Sequence, residues 1–204
     1  MEVFVDEEAY ESAGGSGLTI DQLVAEVGTA MPGKPRMVVS LSCDGRPVEE
    51  ADIESTLARP AHDFQKLELR TQPLAALVRN ILAETIDLFH QANQAREQAA
   101  SLLVEGRTQE AMHQLQSFFA LWRQVQDAMV VCARAIGADL DSMDLSGKSP
   151  AAVFEAIRKL LNDLKDAMVN HDYVVVGDIL QYEFAEPLGD WLTLLTALRQ
   201  RAEA

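Results

Sequence analysis

The sequence predicts an α+β fold in two parts: a small mixed unit over residues 1–72, then an antiparallel bundle of about four helices over residues 73–204. Three observations carry this prediction. In "MEVFVD" and "FQKLELRT" apolar and polar residues alternate with the period of two that a half-buried strand requires. From Pro73 onward the apolar residues recur at three and four, the spacing of one helical face. The helical runs are separated by connections such as "EGRT", short enough to join antiparallel neighbours. With 204 residues, 48% of them hydrophobic, the chain has ample material for a packed core.

In the first part, Val3 and Val5 alternate with Glu2 and Phe4 as a short strand. "ESAGGSG" follows as a turn or loop. Thr19 opens a helix, with Gln22 placed three residues on for a capping box. Ile20, Leu23, Val24 and Val27 form its apolar stripe, and the glycines and prolines between Gly28 and Pro35 end it. "RMVVSLSCDGRPV" reads as a strand, an Asp44-Gly45 turn and a short return strand. "EEADIESTL" supplies one or two helical turns. Leu67 and Leu69, alternating with Lys66 and Glu68, form the closing strand.

The succession of "MEVFV", "LTIDQLVAEV", "MVVSLSCDGRPVEEADI" and "KLELRT" resembles the β-grasp fold of ubiquitin-like domains. That resemblance implies a surface used for recognition. Ubiquitin-type modifiers end in an exposed diglycine tail. Here Arg70-Thr71-Gln72-Pro73 leads into helices and the chain closes on "RQRAEA", so conjugation and sulfur-carrier chemistry are not expected.

Pro73 suits the first turn of a helix. Leu74, Val78, Ile81, Leu82, Leu88 and Phe89 lie on one face of it, and Ala92, Ala95, Ala99, Leu102 and Leu103 continue the stripe. Gly106 is placed to end this helix and Thr108 to cap the next. The second helix spans about Gln109 to Ile136, with Leu115, Phe118, Phe119, Trp122, Val125, Met129 and Cys132 facing inward. Each helix is about 40 Å long, and a hairpin of that length needs further helices over its apolar face. Ser149 and Pro150 open a third helix whose stripe is Val153, Phe154, Ile157, Leu160, Leu161, Leu164 and Met168, with Asn170 as a left-handed terminator.

"HDYVVVGDILQYEFAEPLGDW" poses the hardest local question, because three consecutive valines favour a strand. The apolar run to Trp191 is too long for one strand, and Asp172 is a good helix cap. A fourth helix from 172 to about 201 follows, kinked or restarted at Pro187, which frees the Glu183 carbonyl. Its apolar girth fits either a central helix or one facing a partner. Through Asp172, Tyr173, Gly177, Asp178, Leu180, Tyr182, Glu183 and Pro187 this segment resembles the closing segment of a set of uncharacterised bacterial helical proteins. The resemblance implies a motility or secretion setting.

The net charge of −15 disfavours phosphate backbones and anionic lipid surfaces, so neither nucleic acid nor membrane is expected as a partner. Cys43 and Cys132 stand apart in apolar segments and read as buried thiols. The first ten residues lack a basic, apolar leader pattern and no uncharged apolar run is long enough to span a membrane, which points to the cytoplasm.

Chemical motifs fall short on spacing. "SGKS" ends like a phosphate loop, but Ser142 stands where a glycine is needed, and a helix cap accounts for it. Asp139, Asp141 and Asp144 begin a calcium-like loop that Met143, Asp144 and Pro150 interrupt at ligand and glycine positions. Asp87-x-x-His90 and Glu110-x-x-His113 pose as a di-iron pair, yet helix rise separates their histidines by roughly 13 Å. No nucleophile elbow or Cys-His context stands out. The expectation is therefore a non-enzymatic protein-interaction module of adaptor or chaperone-like type, with no cofactor and no metal. Its partner contacts are Tyr173, Val176, Leu180, Tyr182 and Trp191, serving a second protein or a homodimer. The alternatives are a self-assembling structural subunit and, third, a metal- or ligand-binding bundle.

Overall fold

The computed structural model describes residues 1–14, 17–30, 35–140, 143 and 147–202. The fold is α+β and divides into two compact units, Met1–Leu77 and Val78–Ala204. Parts of "ESAGGSG", of the Gly28–Pro35 segment and of the acidic connection, including Asp141, Ser142 and Asp144, lie outside the described residues.

The first unit is built on a five-stranded sheet of order β2-β1-β5-β3-β4. Its strands are β1 (Glu2–Val5), β2 (Glu8–Ala9), β3 (Arg36–Cys43), β4 (Arg46–Pro47) and β5 (Lys66–Pro73). β1 runs parallel to β5 with Val3 beside Leu67, while β3 pairs antiparallel with β5 and carries a bulge between Val38 and Ser40. Helix α1 (Ile20–Ala30) lies between β2 and β3 in the chain, and α2 (Ile53–Leu57) between β4 and β5. The capping box forms as spaced: Thr19 N–H donates to Gln22 Oε1 at 3.0 Å, and Gln22 N–H donates to Thr19 Oγ1 at 3.3 Å. Because strand side chains alternate, Val3, Val5, Leu41, Leu67 and Leu69 share one face and pack with Ile20, Leu23 and Val27 of α1. Each such leucine contributes about 1.5–3 kcal/mol through burial.

Two tight turns close the hairpins with both central residues at positive φ. Asp44-Gly45 does so at 51° and 77°, as the dipeptide predicts. Asp6-Glu7 does so at 50° and 73°, although glutamate is unsuited to that region. A polar latch explains it. The Asp6 carboxylate accepts from the Thr71 backbone N–H at 2.7 Å and from the Thr71 hydroxyl at 2.6 Å. Arg36 donates to Asp6 Oδ2 at 3.1 Å and to Thr71 Oγ1 at 2.7 Å. A second carboxylate, Glu26 on α1, accepts from the Tyr10 and Ser12 hydroxyls and the Ala13 amide, anchoring the segment after β2.

The second unit is helical. α3 spans Leu74–Val104 and α4 spans Thr108–Ala135, so Pro73 closes β5 opposite Arg36 instead of opening the helix. Gly106 takes φ of 74° between them, the left-handed position a helix terminator needs. Thr108 is the first residue of α4 and does not cap it; Arg107 precedes it without a side-chain cap bond. α5 (Pro150–Val169) begins as expected, with Ser149 Oγ accepting from the Ala152 amide at 3.2 Å. At its end the left-handed residue is His171, at φ of 56°, and Asn170 stays right-handed. The Asp172 amide reaches back to the Ala167 carbonyl at 3.0 Å and closes the turn.

The predicted final helix is broken in two. α6 (Tyr173–Asp178) contains the three valines and is capped by Asp172, whose Oδ1 accepts from the Val175 amide at 3.1 Å. A π-helical turn follows over Ile179–Glu183, then α7 over Ala185–Arg201. The irregularity is therefore not at Pro187. That proline lies in the first turn of α7, where a backbone N–H has no helical acceptor to lose.

The Thr71 contacts, first the hydroxyl and then the amide, hold the Asp6 carboxyl below its ordinary 3.8, and Arg36 adds to this against some desolvation. A lowered folded pKa means the latch contributes stability above the unfolded value, near 3.9, and loses it as pH falls through the folded value. Thermal melts of wild type and Asp6→Asn should differ most at neutral pH and converge as pH falls through the lowered Asp6 pKa. Melting curves offset equally at every pH would remove the charged form of Asp6 from this account.

Candidate functional site

The five side chains expected to meet a partner do not share a surface. Val176 and Leu180 are fully buried and drop out of a contact surface, and Trp191, 2% exposed, is a core residue that borders a cavity between α4 and α5. Tyr173 is half-buried, and Tyr182 is 68% exposed. The three valines divide by helical phase: Val176 turns inward, while Val174 is 75% exposed and Val175 is exposed beside it. The apolar girth of this segment thus serves the core on one side and solvent on the other.

The more continuous apolar surface lies between α4 and α5. Near the start of α5 a cavity of about 380 Å³ opens between Gln126 and Val130 of α4 and Phe154 and Leu161 of α5, with Trp191 on its wall. A second, of about 520 Å³, lies further along between Phe119 and the Leu161, Met168 and Val169 side chains. Leu161 borders both, which makes one trough. Phe119, Phe154, Leu161 and Met168 all belong to stripes expected to face inward, and all four are only half-buried. On α5 the residues Phe154, Leu161 and Met168 recur every seven positions, a row beside the core-facing Val153, Ile157, Leu160 and Leu164. Lys165 and Arg158 lie in the same row and line the trough.

Aromatic packing forms the floor. Trp122 and Trp191 have ring centroids 4.7 Å apart, Phe118 meets Phe184 edge-on at 5.8 Å, and Phe154 meets Trp191 edge-on at 5.3 Å. The indole N–H groups of both tryptophans are buried without an acceptor among the described residues.

Sequence reasoning missed Arg96, the one described cation that is 4% exposed. In the π-turn the Phe184 amide donates to the Ile179 carbonyl, five residues back, at 3.3 Å. Leu180 O therefore loses the donor that an α-helix would supply, and Arg96 Nη1 from α3 takes that place. Asn93 and Glu97 hold the guanidinium, at 2.9 Å and 3.0 Å. Burial lowers the Arg96 pKa and Glu97 opposes that shift. The available signal was an arginine inside an alanine-rich apolar stripe, at Ala92, Ala95 and Ala99.

The remaining motifs have structural partners. Lys148 of "SGKS" sits between Asp190 Oδ2 at 2.6 Å and Glu186 Oε1 at 2.8 Å, which raise its pKa and oppose a phosphate there. Glu110 is held by Arg107, with Nε to Oε1 at 2.7 Å, and its pKa is lowered accordingly. His90 and His113 are exposed. Among the described residues no three His, Cys, Asp or Glu side chains gather where a metal ion could sit. No described helix is long and apolar enough to cross a membrane.

Residues 80–194 match the family described as a domain of unknown function, DUF8042, and this span is more than half of the chain. The chain belongs to the DUF8042 family. No curated protein and no solved structure matches it. The DUF8042 match runs from early α3 into α7, so it contains Arg96, the π-turn and both walls of the trough.

Replacing Arg96 by methionine leaves the buried Leu180 carbonyl without its donor, at a cost of about 1–3 kcal/mol. Urea unfolding of Arg96→Met should show the helical unit's midpoint lowered accordingly. Arg96→Lys should recover little, because one ammonium cannot reach Asn93, Glu97 and Leu180 together. An unchanged midpoint in both variants would remove Arg96 from the support of the π-turn.

Proposed function

We propose that this DUF8042 chain is a non-enzymatic protein-binding module, of adaptor or chaperone-like type, in which the α4–α5 trough receives a helix of another protein. The single observation that carries this reading is the trough itself. It is an elongated apolar surface walled by two long helices, and an amphipathic helix laid between such walls buries its apolar stripe. Large apolar side chains left half-exposed in one contiguous row mark interaction surfaces more often than isolated exposed residues do.

Two architectural readings accompany the proposal. The first unit is a β-grasp domain, a reading supported by the order β2-β1-β5-β3-β4, by β1 parallel to β5, and by α1 connecting β2 to β3. The second is a four-helix bundle of α3, α4, α5 and a bent fourth helix formed by α6, the π-turn and α7. The resemblance of the closing segment directs the search for a partner towards motility or secretion proteins.

The test is site-specific photo-crosslinking of the full chain in its native cells. A benzophenone side chain at Val169, on the trough, should form a protein adduct; one at Val104, exposed near the end of α3, should not. Adducts only with other copies of the chain would move the protein to the self-assembling class. Absence of any adduct from the trough would remove the binding-module reading.

A further inference from the structure

Resting on the binding-module reading, we infer that the trough is built for an acidic amphipathic helix, with carboxylates flanking its apolar stripe. The chain carries 32 Asp and Glu against 17 Lys and Arg, so an exposed surface taken at random is acidic. The trough inverts this. Its described lining contains Arg158 and Lys165 and no carboxylate.

Two described cations elsewhere are each held by two carboxylates, and neither cation of the trough is. Lys148 is neutralised by Glu186 and Asp190, and Arg107 by Glu105 and Glu110. Lys165 has no ion pair among the described residues. Arg158 pairs with Glu155 one turn earlier on the same helix, where both side chains are more than half exposed. That pair uses two of the five guanidinium N–H donors, and the exposed remainder can meet an incoming carboxylate.

Geometry sets the pattern the partner must show. Phe154, Arg158, Leu161, Lys165 and Met168 follow at steps of four, three, four and three, so apolar and basic positions alternate along one row of α5. The two cavities lie about two turns apart along that row, roughly 11 Å. A partner helix fills them with large apolar residues at i and i+7, and places Asp or Glu beside those anchors to meet Lys165 and Arg158. A second copy of this chain is the poorer occupant, because two whole chains of net charge −15 repel each other more strongly than one chain repels a short helix with a few carboxylates.

The experiment uses the full chain and two synthetic helices of about 18 residues, a length sufficient for both anchors. Each has leucines at i, i+4 and i+7; one carries flanking glutamates, its twin flanking lysines. Anisotropy of the labelled peptide gives affinity, and emission of the chain's two tryptophans reports the trough, since Trp191 lines it. The glutamate peptide should bind about tenfold or more tighter than its twin at low salt, with the gap narrowing as salt is added. Lys165→Glu, at an exposed position, should lower that affinity about fivefold while leaving the thermal melt in place. Val169→Asp should weaken the glutamate peptide further.

Equal or tighter binding of the lysine twin would overturn the charge inference and leave the trough as a binding surface. Binding of the glutamate peptide that ignores both substitutions would place it elsewhere and overturn the inference. Failure of both peptides, with protein adducts still forming at Val169, would overturn the acidic-helix partner alone. Failure of both together with no adducts would overturn the binding module as well.

Discussion

The second unit depends on one buried contact, the donation from Arg96 of α3 to the Leu180 carbonyl. Its origin lies in spacing. Val176, Leu180, Phe184 and Leu188 are all buried and succeed one another at steps of four. An α-helix advances about 100° per residue, so each step of four overshoots one turn by about 40°, and three steps swing the row by about 120°. A straight helix would carry Leu188 and the residues after it away from the core. The π-turn at Ile179–Glu183 accommodates more residues per turn and returns the row to the core. Its consequence is a carbonyl without a helical donor, and in a buried position that group needs another. Arg96 provides it with a fixed fork of donors, held in turn by Asn93 and Glu97.

With α7 phased in this way, Phe184 meets Phe118 and Trp191 meets Trp122. These rings fill the interior and carry the packing between α4 and α7. Phe154 joins them from α5 by its contact with Trp191. Beyond that point the flanks of α4 and α5 bear Phe119, Leu161 and Met168 with nothing among the described residues to cover them fully. The trough is thus the margin of a well-filled interior. Its two cations stand out against an acidic chain because carboxylates are absent from the row they share.

In the first unit the controlling contacts are also between distant residues. Asp6 and Thr71 lie 65 positions apart, and their bonds hold a turn that the local dipeptide would not choose. Glu26 plays the same part for the segment after β2, offering its carboxylate to two hydroxyls and two backbone amides. In both cases a partly exposed carboxylate gathers donors that local structure leaves unpaired, which is why folding lowers both pKa values.

The α+β class and the helical state of Val174–Val176 were legible in the sequence by itself, as were the Thr19–Gln22 capping box, the Asp44-Gly45 turn and the Ser149 and Asp172 caps. Each is a local matter: a period of two or of 3.6, a dihedral that Gly or Asp tolerates, an oxygen within reach of the next free amide. Tertiary structure alone decided which apolar residues stayed half-exposed, because a stripe identifies the side of a helix and not the neighbour that covers it. It decided that Val176, Leu180 and Trp191 are core, that the final helix breaks at a π-turn instead of at Pro187, and that Arg96 is buried. The step-of-four spacing was present in the sequence, yet its consequence required a core against which the row had to keep phase. A hydrogen bond between residues 84 positions apart has no local signature.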